Sequence, residues 1–122
     1  LNLTNPAVDN LASEVRSLVC PDKTTLLWNS LAWANDYDVV KGDLDLLRGT
    51  AGDFAQAVTT CLEDDCVGDS TYDSDSPDEG ECFFYLVRGG TEAGGAGTYD
   101  TTAPAQIASR DPGVAASPST CP

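Results

Sequence analysis

The sequence predicts an all-β domain built as an antiparallel sandwich, and three observations predict it. Residues 24–28, 37–41 and 82–88 are short apolar segments rich in β-branched and aromatic residues, which favour strands. Turn-forming residues separate these segments at the spacing of sandwich strands. No long stretch shows the apolar periodicity of a helix. At 122 residues, the chain has the size of one domain.

The first thirteen residues are predicted to form a strand and a linker outside this domain. Leu1, Asn2, Leu3 and Thr4 alternate apolar and polar, so that the two leucines share one face. Residues 5–10 carry a proline and two asparagines, which indicate a linker. A strand this short is unstable alone in water, and it gains stability by adding to a sheet edge. Residues 1–4 are therefore a candidate donor strand; the alternatives are a linker stub of a multidomain chain and an extra strand on the chain's own sheet.

The sandwich itself is predicted over residues 14–122. A strand-like segment over residues 15–19 precedes the strand over residues 24–28. Alternation along this second strand places Leu26 and Trp28 on one face, and we expect Trp28 to be buried in the core. Residues 37–41 follow as the next strand.

The second half of the domain is less regular. Residues 53–61 fit a helical turn or a bent strand, and the pattern does not decide between them. Residues 63–81 hold nine of the twenty acidic residues and no Lys or Arg, so we expect mostly loop with a brief strand near 71–72. Residues 82–88 are apolar on both faces, as a central strand is. An irregular C-terminal tail is expected from about residue 103, because the last twenty residues carry four prolines.

The charge balance disfavours several classes of partner. Twenty acidic residues against six basic ones give a net charge of -14, which argues against nucleic acid and anionic membranes as partners. Because the chain has no histidine, the commonest general base and zinc ligand are missing, and we predict no enzyme and no catalytic residues. The longest apolar run, residues 82–87, is too short to cross a bilayer. The chain opens without the features of a signal peptide, so we expect the leader of a secreted form to have been removed.

Cysteine usage indicates an oxidising compartment and therefore an extracellular or cell-surface location. The five cysteines include no C-x-x-C pair. Joining Cys66 to Cys82 would order the acidic loop between them, and joining Cys61 to Cys121 would attach the tail. Cys20 would then remain. Other pairings of five cysteines stay open, because spacing alone does not determine connectivity.

Two kinds of modification or ligand site are candidates. Asp69, Asp73, Asp75 and Asp78 could supply oxygen ligands to calcium, although their spacing is not that of an EF-hand and a simply solvated loop is the alternative. Asn2 lies in an N-x-[ST] sequon, which makes it a candidate for glycosylation. No other cofactor is expected.

Three segments together resemble a fibronectin type III-like, that is immunoglobulin-like, domain. Residues 26–28, 37–40 and 80–88 match that family's tryptophan strand, its Y-x-V strand and its Y-x-Y-x-V-x-A strand in order and spacing. Phe83 stands where the family often has a tyrosine that hydrogen-bonds across the fold, so we expect that polar tie to be missing. The resemblance implies a structural or adhesive module without catalytic residues.

The C-terminal part resembles a variety of this domain found in bacterial secreted and surface proteins. There G-x-Y-D, S-R-D and a terminal C-P recur, as they do here over residues 97–100, 109–111 and 121–122. The chain also resembles, in architecture, subunits of bacterial extracellular glycoprotein fibrils.

We therefore expect a structural subunit of an extracellular fibre or surface appendage. Its partners would be copies of itself, joined head to tail through residues 1–4, with covalent glycans as a further candidate. One alternative is a carbohydrate-binding or accessory module of a secreted enzyme that uses exposed aromatic residues such as Trp33 or Tyr99. Another is a calcium-binding spacer domain.

Overall fold

The computed structural model of the chain describes residues 14–15, 18–91, 97–100 and 109–122. The predicted strand and linker over residues 1–13 lie outside these described residues. Within these residues, five strands and three short helices follow one another: β1 (Thr25–Leu27), β2 (Asp36–Asp43), α1 (Leu44–Gly49), α2 (Phe54–Ala57), β3 (Val58–Cys66), β4 (Ser70–Tyr72), β5 (Phe83–Gly90) and α3 (Asp111–Ala116).

The strands form two antiparallel sheets, which confirms the prediction of a β-rich antiparallel fold. One sheet has three strands in the order β3-β2-β5, and the other pairs β1 with β4. Val19 extends the smaller sheet through an isolated antiparallel bridge to Leu27. Strand β2 is central in the larger sheet, and seven of its residues in a row are buried, from Asp36 to Gly42.

The first hydrophobic core lies between the two sheets. Leu26 and Trp28 come from the smaller sheet and its end, and they pack with Tyr37, Val39 and Val87 of the larger sheet. Trp28 is 4% exposed, as its alternation with Leu26 predicts, and its ring meets the Tyr37 ring edge to face at 5.5 Å. Burial of these side chains is the main favourable term that holds the sheets together.

A second core covers the opposite face of the larger sheet. Val40 and Val58 of that sheet pack there with Tyr99, Val114 and Cys121, which come from the C-terminal part of the chain. The larger sheet is therefore a middle layer, because side chains that alternate along its strands enter different cores.

The C-terminal tail is not irregular throughout, which corrects the expectation for residues 111–116. These residues form helix α3, with Asp111 in its first turn, Pro112 at its start and Val114 fully buried. Proline suits the first helical turn, because the amide hydrogen that it lacks has no partner there. A Cβ atom at Gly113 would lie 3.0 Å from the Cβ atom of Phe54, so glycine permits the close approach of α3 to α2.

The structure also settles the secondary structure of two segments in the second half of the domain. Residues 53–61 contain both a helical turn and part of a strand. Helix α2 is one turn capped by Asp53, and β3 begins directly after it at Val58. The predicted loop from residue 63 begins later, since β3 continues to Cys66. Acidic residues disfavour strands, but the Asp65 amide donates a hydrogen bond to Oδ1 of Asp38 at 3.0 Å and holds this end against β2.

Candidate functional site

The best-formed polar cluster lies between the two sheets and is centred on Lys41. The Lys41 Nζ atom lies 2.6 Å from Oδ2 of Asp73 and 3.0 Å from Oδ2 of Asp75. The side chains of Lys41 and Asp73 are each 7% exposed, whereas that of Asp75 is 74% exposed. The ring of Phe83 covers the ammonium group at 4.0 Å, in cation–π geometry.

Strand geometry explains why these groups meet. Lys41 follows Tyr37 and Val39 at a spacing of two, so its side chain enters the space between the sheets. Asp73 directly follows β4, and its amide donates to the carbonyl of Thr24 at 2.8 Å. The cluster therefore joins the central strand of one sheet to the end of the other.

Hydrogen bonds and charge keep the pair ionised. Burial disfavours the charge on Lys41, but hydrogen bonds and charge from Asp73 and Asp75 outweigh it and raise the pKa of Lys41. Burial likewise opposes the Asp73 charge, yet donors from Lys41, the Asp75 amide and Tyr85, together with the Lys41 charge, lower the pKa of Asp73. The resting state is an ion pair in a mostly dry site.

A hydrogen bond from another tyrosine of β5 joins the two sheets, although Phe83 itself has no hydroxyl to offer. Tyr85, two residues further along β5, donates its hydroxyl to Oδ2 of Asp73 at 2.8 Å. Burial and the hydrogen bond and charge of Asp73 raise the pKa of Tyr85. The tyrosine is therefore a hydrogen-bond donor throughout the neutral range.

The acidic loop does not gather the four carboxylates proposed as calcium ligands. Asp73 and Asp75 pair with Lys41, as described above. Asp69 is exposed and accepts a hydrogen bond from the Ser30 hydroxyl at 3.5 Å, and Asp78 is exposed. Lys41 thus engages two of the four carboxylates, while the other two are exposed.

A second cluster of carboxylates lies where β2 pairs with β3. One carboxylate oxygen each from Asp38, Asp64 and Asp65 lies within 4.8 Å of the others. Asp38 is buried and already engaged by Arg88, whose Nη2 atom lies 2.9 Å from its Oδ2 atom. Burial, the charges of Asp65 and Asp38 and a hydrogen bond with Asp38 raise the pKa of Asp64. The three carboxylates could offer oxygen ligands to a metal ion. Arg88 already balances one of their three negative charges.

The cysteines give one disulfide, between Cys61 in β3 and Cys121 near the C-terminus, with Cα atoms 4.9 Å apart. This is the pair put forward for attaching the tail. Cys20, Cys66 and Cys82 are thiols. Burial, with a smaller effect of the Glu63 charge, raises the pKa of the Cys66 thiol, which lowers its reactivity at neutral pH.

The proposed bridge between Cys66 and Cys82 is wrong for this fold, because the two residues lie at opposite ends of β2. Cys66 pairs with Tyr37, and Cys82 directly precedes Phe83, which pairs with Asp43. Six residues of strand separate those two positions, or about 20 Å, whereas a disulfide needs Cα atoms within about 7 Å.

The described part of the chain begins at Glu14, beside β5. Glu14 forms an antiparallel bridge with Arg88 of β5 and a parallel bridge with Thr98. Because Arg88 also pairs with Asp38 of β2, Glu14 lies along the other side of β5. The candidate donor strand Leu1–Thr4 and the sequon at Asn2 belong to residues 1–13, outside the described residues.

The two candidate aromatic contacts differ in exposure. Trp33 is 37% exposed, and the end of its ring lies near Gly89, 3.4 Å from where a Cβ atom would be. Tyr99 is 2% exposed, so it is not an exposed sugar contact. Burial, together with the charges of Asp38 and other acids, raises the pKa of Tyr99, although the charge of Arg88 opposes this.

Exposed apolar residues mark the outer face of the smaller sheet. Tyr72 is 70% exposed and pairs with Thr25, while Val19 at 51% bridges Leu27 at 38%. Leu26 points inward, so its neighbours along the strand point outward, and residues directly opposite each other share a face.

Sequence reasoning missed the Lys41 cluster. The signal available was weak: Lys41 is the single lysine at the end of the run that begins at Tyr37, and it shares the alternating face of Tyr37 and Val39. Its partner Asp73 is one of nine acidic residues in the following acidic segment, and no spacing rule singles it out.

The chain matches no protein-family model, no curated protein and no solved structure. Among the described residues, no helix has the length and apolar character of a membrane span. The disulfide is compatible with an extracellular location.

Proposed function

We propose that the chain is a structural subunit of an extracellular fibre or surface appendage. In this proposal the strand Leu1–Thr4 of one copy adds to a sheet edge of the next. Each subunit is then both donor and acceptor, and a contact of this head-to-tail kind extends into a filament.

The position of Glu14 carries the proposal. It bridges Arg88 of β5 and also Thr98, so the described chain is anchored beside the larger sheet directly after residues 1–13. In the proposal, the linker over residues 5–10 lets residues 1–4 reach a neighbouring copy. Backbone hydrogen bonds would then supply affinity, and Leu1 and Leu3 would supply a shared apolar face.

The arrangement of strands supports an immunoglobulin-like or fibronectin III-like sandwich as the fold of this subunit. The two-stranded sheet β1-β4 packs through Trp28 on the three-stranded sheet β3-β2-β5. The chain crosses between the two sheets three times, after β1, β3 and β4, and a division of antiparallel strands between two packed sheets is typical of such sandwiches.

The exposed apolar face of the smaller sheet supports contact with further copies. Val19, Leu27 and Tyr72 lie on the side of that sheet that faces away from the core. Tyrosine is enriched at protein interfaces, and neighbouring exposed apolar residues are typical of interaction surfaces.

Sedimentation velocity of matched variants tests the proposal. Leu1→Asp with Leu3→Asp places two charges on the apolar face of the donor strand, and we expect monomers at concentrations where the parent chain forms large species. Asn2→Asp with Thr4→Asp adds the same charge to the opposite face and should retain assembly. Equal assembly of both double variants would contradict a role for this strand.

A carbohydrate-binding module is the second candidate, and the exposure of Trp33 favours it. An indole that is partly open to solvent can stack on a sugar ring. The Trp33→Ala variant should then lose retention on a polysaccharide column, while Trp28→Phe, a change in the core, should keep it. If the parent chain is not retained on any polysaccharide tested, this candidate is excluded.

A further inference from the structure

We propose that Lys41 and Asp73 join through an amide bond between their side chains, so that a covalent link connects the two sheets. The reacting groups are in contact, since Nζ lies 2.6 Å from Oδ2 in a site where both side chains are 7% exposed. This inference goes beyond the proposed fibre and does not depend on it.

Proximity is the first physical reason. Two groups held in contact by a folded chain react as if each were present at an effective concentration on the order of 10⁵ M or more. Lys41 is fixed by its place in β2, and the amide of Asp73 is fixed by its hydrogen bond to Thr24. Neither group has to move far for the nitrogen to reach the carboxyl carbon.

The reaction balances without any other reactant. The Lys41 nitrogen forms a bond to Cγ of Asp73, and one C–O bond of the carboxyl group breaks. Of the three ammonium protons, one stays on the amide nitrogen and two leave with the departing oxygen as water. Nothing is oxidised or reduced, and the product is a neutral amide plus one water molecule.

Neighbouring side chains suit this chemistry. The Tyr85 hydroxyl donates to Oδ2 of Asp73 at 2.8 Å, which stabilises negative charge on that oxygen as the nitrogen attacks. Oδ2 of Asp75 accepts from Lys41 at 3.0 Å and is open to solvent, so it can carry a proton from nitrogen to the leaving oxygen. The Phe83 ring covers the ammonium group.

Burial also favours the product. An ion pair kept away from water bears a desolvation penalty, and a neutral amide removes two buried charges at once. The resting pair must first pass a proton from Lys41 to a carboxylate, because its hydrogen bonds favour the charged form of both groups. That transfer occurs within hydrogen-bond distance and leaves the net charge of the site unchanged.

The link would connect parts of the fold that the disulfide leaves separate. The disulfide joins β3 to the C-terminal tail, within the second core. The amide would join β2 to the end of β4 and hence the larger sheet to the smaller one. A module with both links would resist forced separation of its sheets.

Intact-mass spectrometry of the folded, then reduced and denatured, chain tests the proposal. We expect a mass lower than the sequence mass by that of one water molecule. Fragment ions should show the peptide containing Lys41 attached to the peptide containing Asp73. The full sequence mass for the parent chain after prolonged incubation in the folded state would overturn the proposal.

Three variants make the result specific. Lys41→Met and Lys41→Arg should both keep the full mass, and the arginine variant retains a cation beside Asp73 if loss of charge prevents folding. Lys23→Met changes the only other lysine, which is exposed, and should still lose water. An aspartyl succinimide also loses one water, but it leaves Lys41 unmodified; fragment ions that locate the loss in such a ring would overturn the proposal as well.

Discussion

Lys41 and Asp73 are 32 positions apart in the sequence, yet Nζ and Oδ2 lie 2.6 Å apart between the two sheets. Lysine and aspartate are almost never fully buried unless they are paired. The pair therefore fixes how the central strand of the larger sheet sits against the end of the smaller one. Replacing one partner leaves a buried charge without compensation.

Asp73→Ala should lower the free energy of unfolding by about 3 kcal/mol or more, because it leaves the Lys41 charge with only the exposed Asp75 as partner. Asp75→Ala removes a contact whose carboxylate is 74% exposed and should cost less than about 1 kcal/mol. Urea unfolding of both variants measures the difference. If both variants lose the same small amount of unfolding free energy, the buried contact does not stabilise the fold more than the exposed one.

Tyr37→Phe and Tyr99→Phe should differ although both remove one buried hydroxyl. The Tyr37 hydroxyl accepts a hydrogen bond from the Leu31 amide at 2.7 Å, so its loss should cost about 1 to 2 kcal/mol. The Tyr99 hydroxyl is buried and has no hydrogen-bond partner among the described residues, so Tyr99→Phe should be close to neutral or slightly stabilising. Thermal unfolding compares the two variants, and a larger loss for Tyr99→Phe would contradict this assignment.

Asp64→Asn should stabilise the fold at neutral pH. Burial and the charges of Asp65 and Asp38 raise the pKa of Asp64 above 3.8, so its ionised form is less favourable in the folded state than in the unfolded state. The folded chain thus loses stability as the pH rises through this pKa. The gain from the variant should be below about 1 kcal/mol, because Asp64 is exposed and solvent screens its charge.

The pH dependence of this gain is the check. Well below pH 3.8 Asp64 is protonated in both states, so the variant and the parent should then unfold at the same temperature. Asp78→Asn, which removes an exposed carboxylate outside the cluster, is the matched control for the loss of one negative charge. A gain for Asp64→Asn that persists at low pH would contradict the electrostatic explanation.

Loss of the disulfide should destabilise the chain by about 4 kcal/mol, the value expected when a cross-link across a sequence separation of 60 is removed from the unfolded state. Cys61→Ala with Cys121→Ala, compared with the parent by denaturant unfolding, measures it. Cys82→Ala changes an exposed thiol and should be nearly neutral. If reducing agent leaves the parent's stability unchanged, the disulfide does not hold the tail.

The residues that alternate along strands could be predicted, whereas the residues that meet across the fold could not. The inward position of Trp28 follows from its spacing to Leu26, and the strand over Phe83–Gly90 follows from its apolar run. By contrast, Asp64 and Asp65 lie in a strand because Asp38 accepts a hydrogen bond from the Asp65 amide, a contact set by the position of β2.

Contacts between residues far apart in the sequence also determine which cysteines can bond and which acidic residue of the loop forms the buried ion pair. Cys66 and Cys82 flank one loop in sequence, but β2 separates their strands, so a sequence argument based on loop closure failed. Asp73 belongs to an acidic segment in which each carboxylate has the same local pattern. Only the position of Lys41 distinguishes it.

Electron microscopy of the purified native material tests the central claim most directly. The proposed role predicts filaments of uniform width with a regular repeat, and it predicts that Leu1→Asp with Leu3→Asp abolishes them. A parent chain that stays as single, separate particles at every concentration examined, with sedimentation of a monomer, would contradict a structural subunit that joins to its own copies.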